Sequence, residues 1–286
     1  MMFSIIGPEE TGQLGIFQLK RFWSQQMALL SSAAVPNLNE DIINRVMCDA
    51  LGLSIHQILE YIFSHHCSFE ALEAWIIEIA GLPDPEKIAR FNADLQGAQA
   101  PESIRHWITE VEAMPPVFSD EELAFWKEHG YILLRQAISA DARYRAESAI
   151  WKNIDAKPDD SSTWAVAKSN GIMVELIQHP DIDVNRRSSR IHKAFSQLWG
   201  TADLWVSVDR CGFNPPESCG RPFNGPDLHW DLDFSQPQSY CTQGILYLTD
   251  TPEEQGATTL VPGFHHKLVD WLKALPSGFD INHQRD

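Results

Sequence analysis

The feature that most constrains the fold is a change in hydrophobic period along the chain. From about Gly12 to Met114 apolar residues recur three and four positions apart, which is typical of amphipathic helices. After Leu204 they alternate with polar residues, which is typical of strands that bury one face. The sequence therefore predicts an α+β chain in which an all-α domain precedes a β-rich domain.

Helix-start signals support the all-α prediction for the first third. Ser54 and Ser68 each precede an apolar stripe and are plausible N-caps, and Asp84-Pro85 and Pro101 place proline where helices begin. We expect five or six helices and assign them no chemistry. The cluster at 65–67, His-His-Cys, has no second pair at metal-ligand spacing, so a solvated helix end explains it better than a metal site.

The domain boundary is predicted at Met114–Val117, because Pro-Pro there favours an extended linker. The expected domains are 1–114, of unknown role, and 118–286. The second begins with a capping box at Ser119–Glu122, whose helix should end at Gly130.

Short strands separated by turns should form most of the second domain, as in an antiparallel sandwich or barrel. Helices are expected at Ser188–Trp199 and Lys267–Leu275. The predicted strands are Tyr131–Leu134, Leu204–Val208, Leu228–Phe234, Gly244–Leu248 and Thr258–Val261, and Gly171–Ile177 is expected to be a strand or a short buried element.

Charge and cysteine content exclude several classes. A formal net charge of −17 argues against nucleic acid and anionic membrane surfaces as partners. No signal peptide is visible and no apolar stretch approaches the length of a membrane span, so a cytoplasmic protein is expected. The five cysteines have no Cys-x-x-Cys spacing, which favours reduced thiols over a zinc ribbon or disulfide framework.

A histidine and an aspartate stand two residues apart in the alternating run Leu228–Phe234. On a strand, such residues share a face, so His229 and Asp231 can point at one atom. An imidazole and a carboxylate are two of the three ligands in the 2-His-1-carboxylate triad of non-haem Fe(II) oxygenases. The pattern alone is weak, since a surface strand tolerates both residues.

Three motifs in order make the second half resemble the phytanoyl-CoA dioxygenase family of Fe(II)/2-oxoglutarate oxygenases. Phe125–Tyr131 is similar to the family's opening helix, Gly-Tyr and strand, and His229-Trp230-Asp231 to its metal motif. Gly256–His265 is similar to its element ending in Pro-Gly-x-His. The resemblance covers roughly Phe118 to the C-terminus.

The resemblance implies a double-stranded β-helix, or jelly roll, with flanking helices. It implies that His229 and Asp231 bind Fe(II), leaving positions for 2-oxoglutarate and O2. Related halogenases lack the carboxylate, so the presence of Asp231 favours hydroxylation.

The family's third ligand, a distal histidine, and the arginine that clamps 2-oxoglutarate lie on late strands that we do not find before Asp286. We therefore expect a C-terminally truncated domain that lacks its last strands and binds metal weakly. His265 and His266 are interpreted as helix-capping or pocket-bordering residues rather than ligands. His283 could return to the metal, but its neighbours do not form a strand between turns.

Two residues are candidates for binding 2-oxoglutarate. Arg210 is a candidate cation at the end of the predicted strand before the metal motif, although a surface arginine paired with Asp209 or Glu217 is an equal alternative. Trp230 stands where related enzymes wall the cosubstrate pocket. Asp233 is interpreted as a solvent-facing or loop-bonding carboxylate.

These predictions favour an Fe(II)/2-oxoglutarate-dependent dioxygenase that hydroxylates a small-molecule substrate with O2. A catalytically inert jelly-roll binding protein, with an incomplete metal site, is the main alternative. A metal-dependent cupin isomerase or hydrolase would need more histidines near the first motif.

Overall fold

Helices dominate the part of the chain that the computed structural model describes, which comprises residues 6–31, 40–166, 168, 171–217, 228–229, 231, 234, 240–276 and 278–279. The α-helices are α1 Leu19–Leu30, α2 Asp41–Leu51, α3 Ile55–His65, α4 Phe69–Ala80, α5 Pro85–Gln96, α6 Glu102–Ala113, α7 Asp120–His129, α8 Ala140–Asn153, α9 Pro180–Arg186, α10 Ser189–Trp199 and α11 Leu268–Ala274. Short 3-10 helices cover Ser161–Val166, Glu253–Gln255 and Phe264–His266. The strands β1 Met173–Val174 and β2 Cys211–Gly212 pair antiparallel, with Met173 opposite Gly212.

Contacts group the chain into two units. The first contains residues 1–115 and 173–212, and the second contains residues 116–172 and 213–286. The first unit therefore combines the N-terminal helices with a segment from the middle of the chain. This grouping concerns contacts in space, whereas the domain division expected at 114–118 concerns units of sequence and stays a prediction.

Local capping signals fold as the sequence predicts. Ser54 and Ser119 both form capping boxes, in which the serine hydroxyl and the side chain three residues later satisfy free N–H groups. In the second box, Ser119 Oγ accepts a hydrogen bond from the Glu122 backbone N–H at 3.2 Å. Proline occupies the first turn of α5 after the N-cap Asp84.

The apolar core of the first unit lies among its N-terminal helices. Leu53, Ile58, Ile62, Leu72 and Ile76 are fully buried there, and Phe22, Met47 and Phe91 pack with them. Burial of an aliphatic or aromatic side chain of this size contributes about 1.5–3 kcal/mol. The helical period seen in the sequence therefore corresponds to a real core.

The mid-chain segment of the first unit is held on α5 by polar contacts. Arg90 is buried, and its Nη2 lies 2.6 Å from the Asp203 carboxylate. The same guanidinium lies 4.3 Å from the ring centroid of Trp205, a cation–π contact. The Trp205 indole N–H donates to Asp94 Oδ2 at 3.0 Å. Two side chains of α5 thus fix the residues that follow α10.

Most of the predicted strands have no ladder partner within the described residues. Met173–Val174 is the paired part of the strand expected at 171–177, and the segments 131–134, 204–208, 244–248 and 258–261 lie in no ladder. Alternation of apolar and polar residues indicates which side chains share a face, but a strand also needs a neighbouring strand for its backbone hydrogen bonds. What is seen is a mixed, helix-rich chain with a two-stranded sheet; the jelly roll stays a prediction.

No single helix among the described residues is long and apolar enough to cross a membrane. Among the same residues, α2 and α3 reach the length and apolar composition of a membrane span only when they are taken together, and the pair is bent by 95°.

Candidate metal site

His229 and Asp231 approach each other in the second unit. His229 Nε2 lies 3.5 Å from Asp231 Oδ1, and the two side chains are 43% and 57% exposed. Two metal–ligand bonds of about 2.1 Å can span up to about 4 Å, so one ion can contact both donor atoms. The spacing of two residues thus brings the predicted ligands together, as the sequence pattern suggested.

The other carboxylate oxygen of Asp231 has a different partner. Gln243 donates a hydrogen bond from Nε2 to Asp231 Oδ2 at 3.0 Å. Gln243 lies twelve residues further along the chain, directly before the predicted strand that begins at Gly244. Sequence reasoning did not identify this glutamine, because an amide in a polar run carries no pattern of its own.

The pair fits a divalent first-row metal as part of its ligand set. Neutral imidazole nitrogen and carboxylate oxygen are the donors that non-haem iron sites use. Over the described ranges, no group of three or more His, Cys, Asp or Glu side chains could hold a metal ion. His229 and Asp231 therefore account for two positions, and a third protein ligand is not identified among these residues.

His265 and His266 contact the end of α7 in the same unit. The Nε2 atom of each imidazole lies 3.0 Å from the carbonyl oxygen of Lys127, and the ring centroids are 3.9 Å apart. The Gly263 N–H also donates to the His129 carbonyl at 2.8 Å. Carbonyls in the last turn of a helix lack partners within it, so these residues cap α7. The sequence suggested that they cap the following helix or border the pocket; the structure shows them capping α7.

Arg210 belongs to the first unit, unlike the histidine–aspartate pair. Its Nε lies 3.4 Å from Asp209 Oδ1, and its Nη1 lies 3.9 Å from Glu175 Oε1. The contact with Asp209 is the one expected of a surface arginine, and a role towards 2-oxoglutarate stays a prediction. Trp230, Asp233 and His283 lie outside the described residues.

Comparison with known proteins decides the family. The family model described as phytanoyl-CoA dioxygenase matches residues 79–277. The chain belongs to the phytanoyl-CoA dioxygenase family. The resemblance drawn from three motifs is thereby confirmed.

Ectoine dioxygenase of Stutzerimonas stutzeri (strain A1501) is a relative of this phytanoyl-CoA dioxygenase family member. The two are 25% identical over 162 residues, which cover 53% of this chain and 52% of that protein. The chain thus spans about half the length of the curated relative it matches. No solved structure matches the chain at a significant level.

The family match begins before the predicted second domain. Residue 79 lies in α4, so α5 and α6 fall inside the matched range. The contacts of Arg90 and Asp94 with the segment after α10 join two parts of this range. Helix α5 therefore packs against a later part of the matched range.

Proposed function

We propose that this protein is an Fe(II)/2-oxoglutarate-dependent dioxygenase that hydroxylates a small-molecule substrate. The observation that carries the proposal is the convergence of His229 and Asp231 in a chain of this family. When bound, the iron and 2-oxoglutarate supply oxidative chemistry that puts one oxygen atom of O2 into the substrate and the other into succinate, with release of CO2.

The chain's own residues would hold the metal and balance its charge. His229 would bind through Nε2, the ring atom that faces Asp231. The Asp231 carboxylate would neutralise one positive charge and occupy a position that a halide would otherwise take. Hydroxylation is therefore proposed over halogenation. The jelly-roll architecture, a cytoplasmic location and the roles of Arg210 and Trp230 towards 2-oxoglutarate belong to the same proposal.

A catalytically inert binding protein is the second candidate. It is favoured by one observation, that among the described residues no group of three or more metal-ligand side chains comes together. An iron site with too few protein ligands binds weakly and leaves the metal poorly oriented. The two candidates differ in whether 2-oxoglutarate is consumed.

Succinate release from 2-oxoglutarate tests the proposal. Wild type is compared with Asp231→Ala over a panel containing ectoine, amino acids and a coenzyme A thioester. We expect Asp231→Ala to abolish release, while Asp270→Ala, which removes an exposed carboxylate on α11, leaves it unchanged. Equal release from wild type and Asp231→Ala would show the iron-site assignment to be wrong. Iron binding without succinate release for any substrate would favour the binding protein.

A further inference from the structure

We propose that Gln243 is a positioning residue that makes Asp231 a one-oxygen metal ligand. The inference rests on the proposed function, because it concerns the same metal site. It is based on the observation that the two oxygens of the Asp231 carboxylate face different residues. Oδ1 faces His229 Nε2 at 3.5 Å, and Oδ2 accepts the Gln243 amide N–H at 3.0 Å.

The hydrogen bond determines which oxygen is directed at the metal. A carboxylate can bind a cation through one oxygen or through both, and the second mode occupies an extra coordination position. With Oδ2 engaged by Gln243, Oδ1 is the oxygen on the side of His229. Binding through Oδ1 alone keeps the positions that a cosubstrate and O2 require at such a site.

The same bond also limits the rotation of an exposed side chain. Asp231 is 57% exposed, so packing alone does not hold its carboxylate in one orientation. An amide donor does not titrate in the neutral range, and its hold on Oδ2 therefore persists wherever the carboxylate is ionised. Fixing the ligand before the metal arrives lowers the entropy lost on binding.

Other metal sites indicate how strongly Gln243 should affect metal affinity. Loss of a group that hydrogen-bonds a metal ligand costs about 10–100-fold in metal affinity. We expect Gln243→Leu to weaken binding about 10-fold, because the bond is exposed to solvent. Gln243→Asn keeps a neutral amide donor and should recover part of the affinity that Gln243→Leu loses.

Cobalt(II) titration measures this without turnover. Co(II) is added to the full chain, and the dissociation constant and visible spectrum are compared for wild type, the two Gln243 variants and Asp231→Ala. Gln255→Leu is the matched control, because it removes an exposed glutamine of the same unit. Thermal unfolding of the metal-free proteins should be unchanged by Gln243→Leu, so that a loss of affinity reports on the ligand rather than on the fold.

The outcomes separate the two proposals. One Co(II) bound by wild type, lost in Asp231→Ala and weakened about 10-fold in Gln243→Leu with partial recovery in Gln243→Asn, supports both. Binding lost in Asp231→Ala but equal in wild type and Gln243→Leu overturns the role of Gln243 and leaves the metal site standing. Binding that is the same in wild type and Asp231→Ala overturns the metal site, and the role of Gln243 with it.

Discussion

Asp49 should make the stability of the first unit depend on pH. This residue of α2 accepts a hydrogen bond from the Val208 backbone N–H at 2.7 Å. Burial raises the pKa of the Asp49 carboxyl from 3.8 to about 7, although the Val208 bond opposes the rise. Arg45 and Lys87 also oppose it, whereas the charge of Asp209 adds to it.

The direction of the effect follows from proton binding. Between about pH 4 and pH 7 the folded protein holds a proton on Asp49 that the unfolded chain has released, so folding is favoured at the lower pH. This stability is fully present below the unfolded pKa and is lost as the pH rises through the folded one. A rise from 3.8 to about 7 corresponds to about 4 kcal/mol for a fully shielded group. Partial exposure of Asp49 reduces the expected loss to about 1–2 kcal/mol.

Urea unfolding of wild type and Asp49→Asn at about pH 5 and about pH 8 measures this. The asparagine carbonyl can still accept the Val208 N–H but carries no charge. We expect the stability of the variant relative to wild type to rise by about 1 kcal/mol between about pH 5 and about pH 8, since part of the loss in wild type has already occurred near pH 5. Asp41→Asn, at the exposed start of the same helix, should leave the pH dependence intact. If Asp49→Asn keeps the wild-type slope between the two pH values, Asp49 is not the titrating group.

Two further substitutions test contacts that the sequence did not indicate. Arg90→Met should lower the free energy of unfolding by about 1–2 kcal/mol, because it removes the Asp203 ion pair and the stacking on Trp205 while keeping the side-chain volume. If the losses caused by Arg90→Met and Asp203→Asn simply add in the double mutant, the two residues are not coupled. Gly130→Ala should cost about 2 kcal/mol, since Gly130 has a φ of 79° and a Cβ there would lie 2.6 Å from His265 Nδ1. Adding His265→Ala should recover the steric part of that loss in thermal unfolding; no recovery would contradict the close approach.

Helices were predictable because their signals are local. The hydroxyl of Ser119 and the carboxylate of Glu122 are three residues apart, and the hydrogen bonds that begin α7 need nothing from elsewhere. The left-handed Gly130 ends the same helix, as the sequence suggested. A segment that carries both its start and its stop signal is recognisable without knowledge of the rest of the chain.

Pairing between distant segments was less predictable. The alternation at 204–208 is genuine, yet in the structure Val208 bonds to the side chain of Asp49 and Trp205 to that of Asp94. Alternation reports which side chains share a face, whereas the partner of a backbone N–H depends on the whole arrangement. Contacts across more than a hundred residues, such as Arg90 with Asp203, leave no trace in local composition.

The candidate site shows the same difference between local patterns and contacts that depend on the whole arrangement. His229 and Asp231 could be proposed as ligands because a histidine and an aspartate at i and i+2 form a local pattern, and the resemblance to the family motif gave that pattern a meaning. Gln243 could not, because its role depends on where its amide lies relative to one carboxylate oxygen. Residues that orient a ligand act through a single hydrogen bond and need no particular neighbours in sequence. A sequence motif is therefore expected to indicate the residues that bind a metal more readily than the residues that orient those ligands.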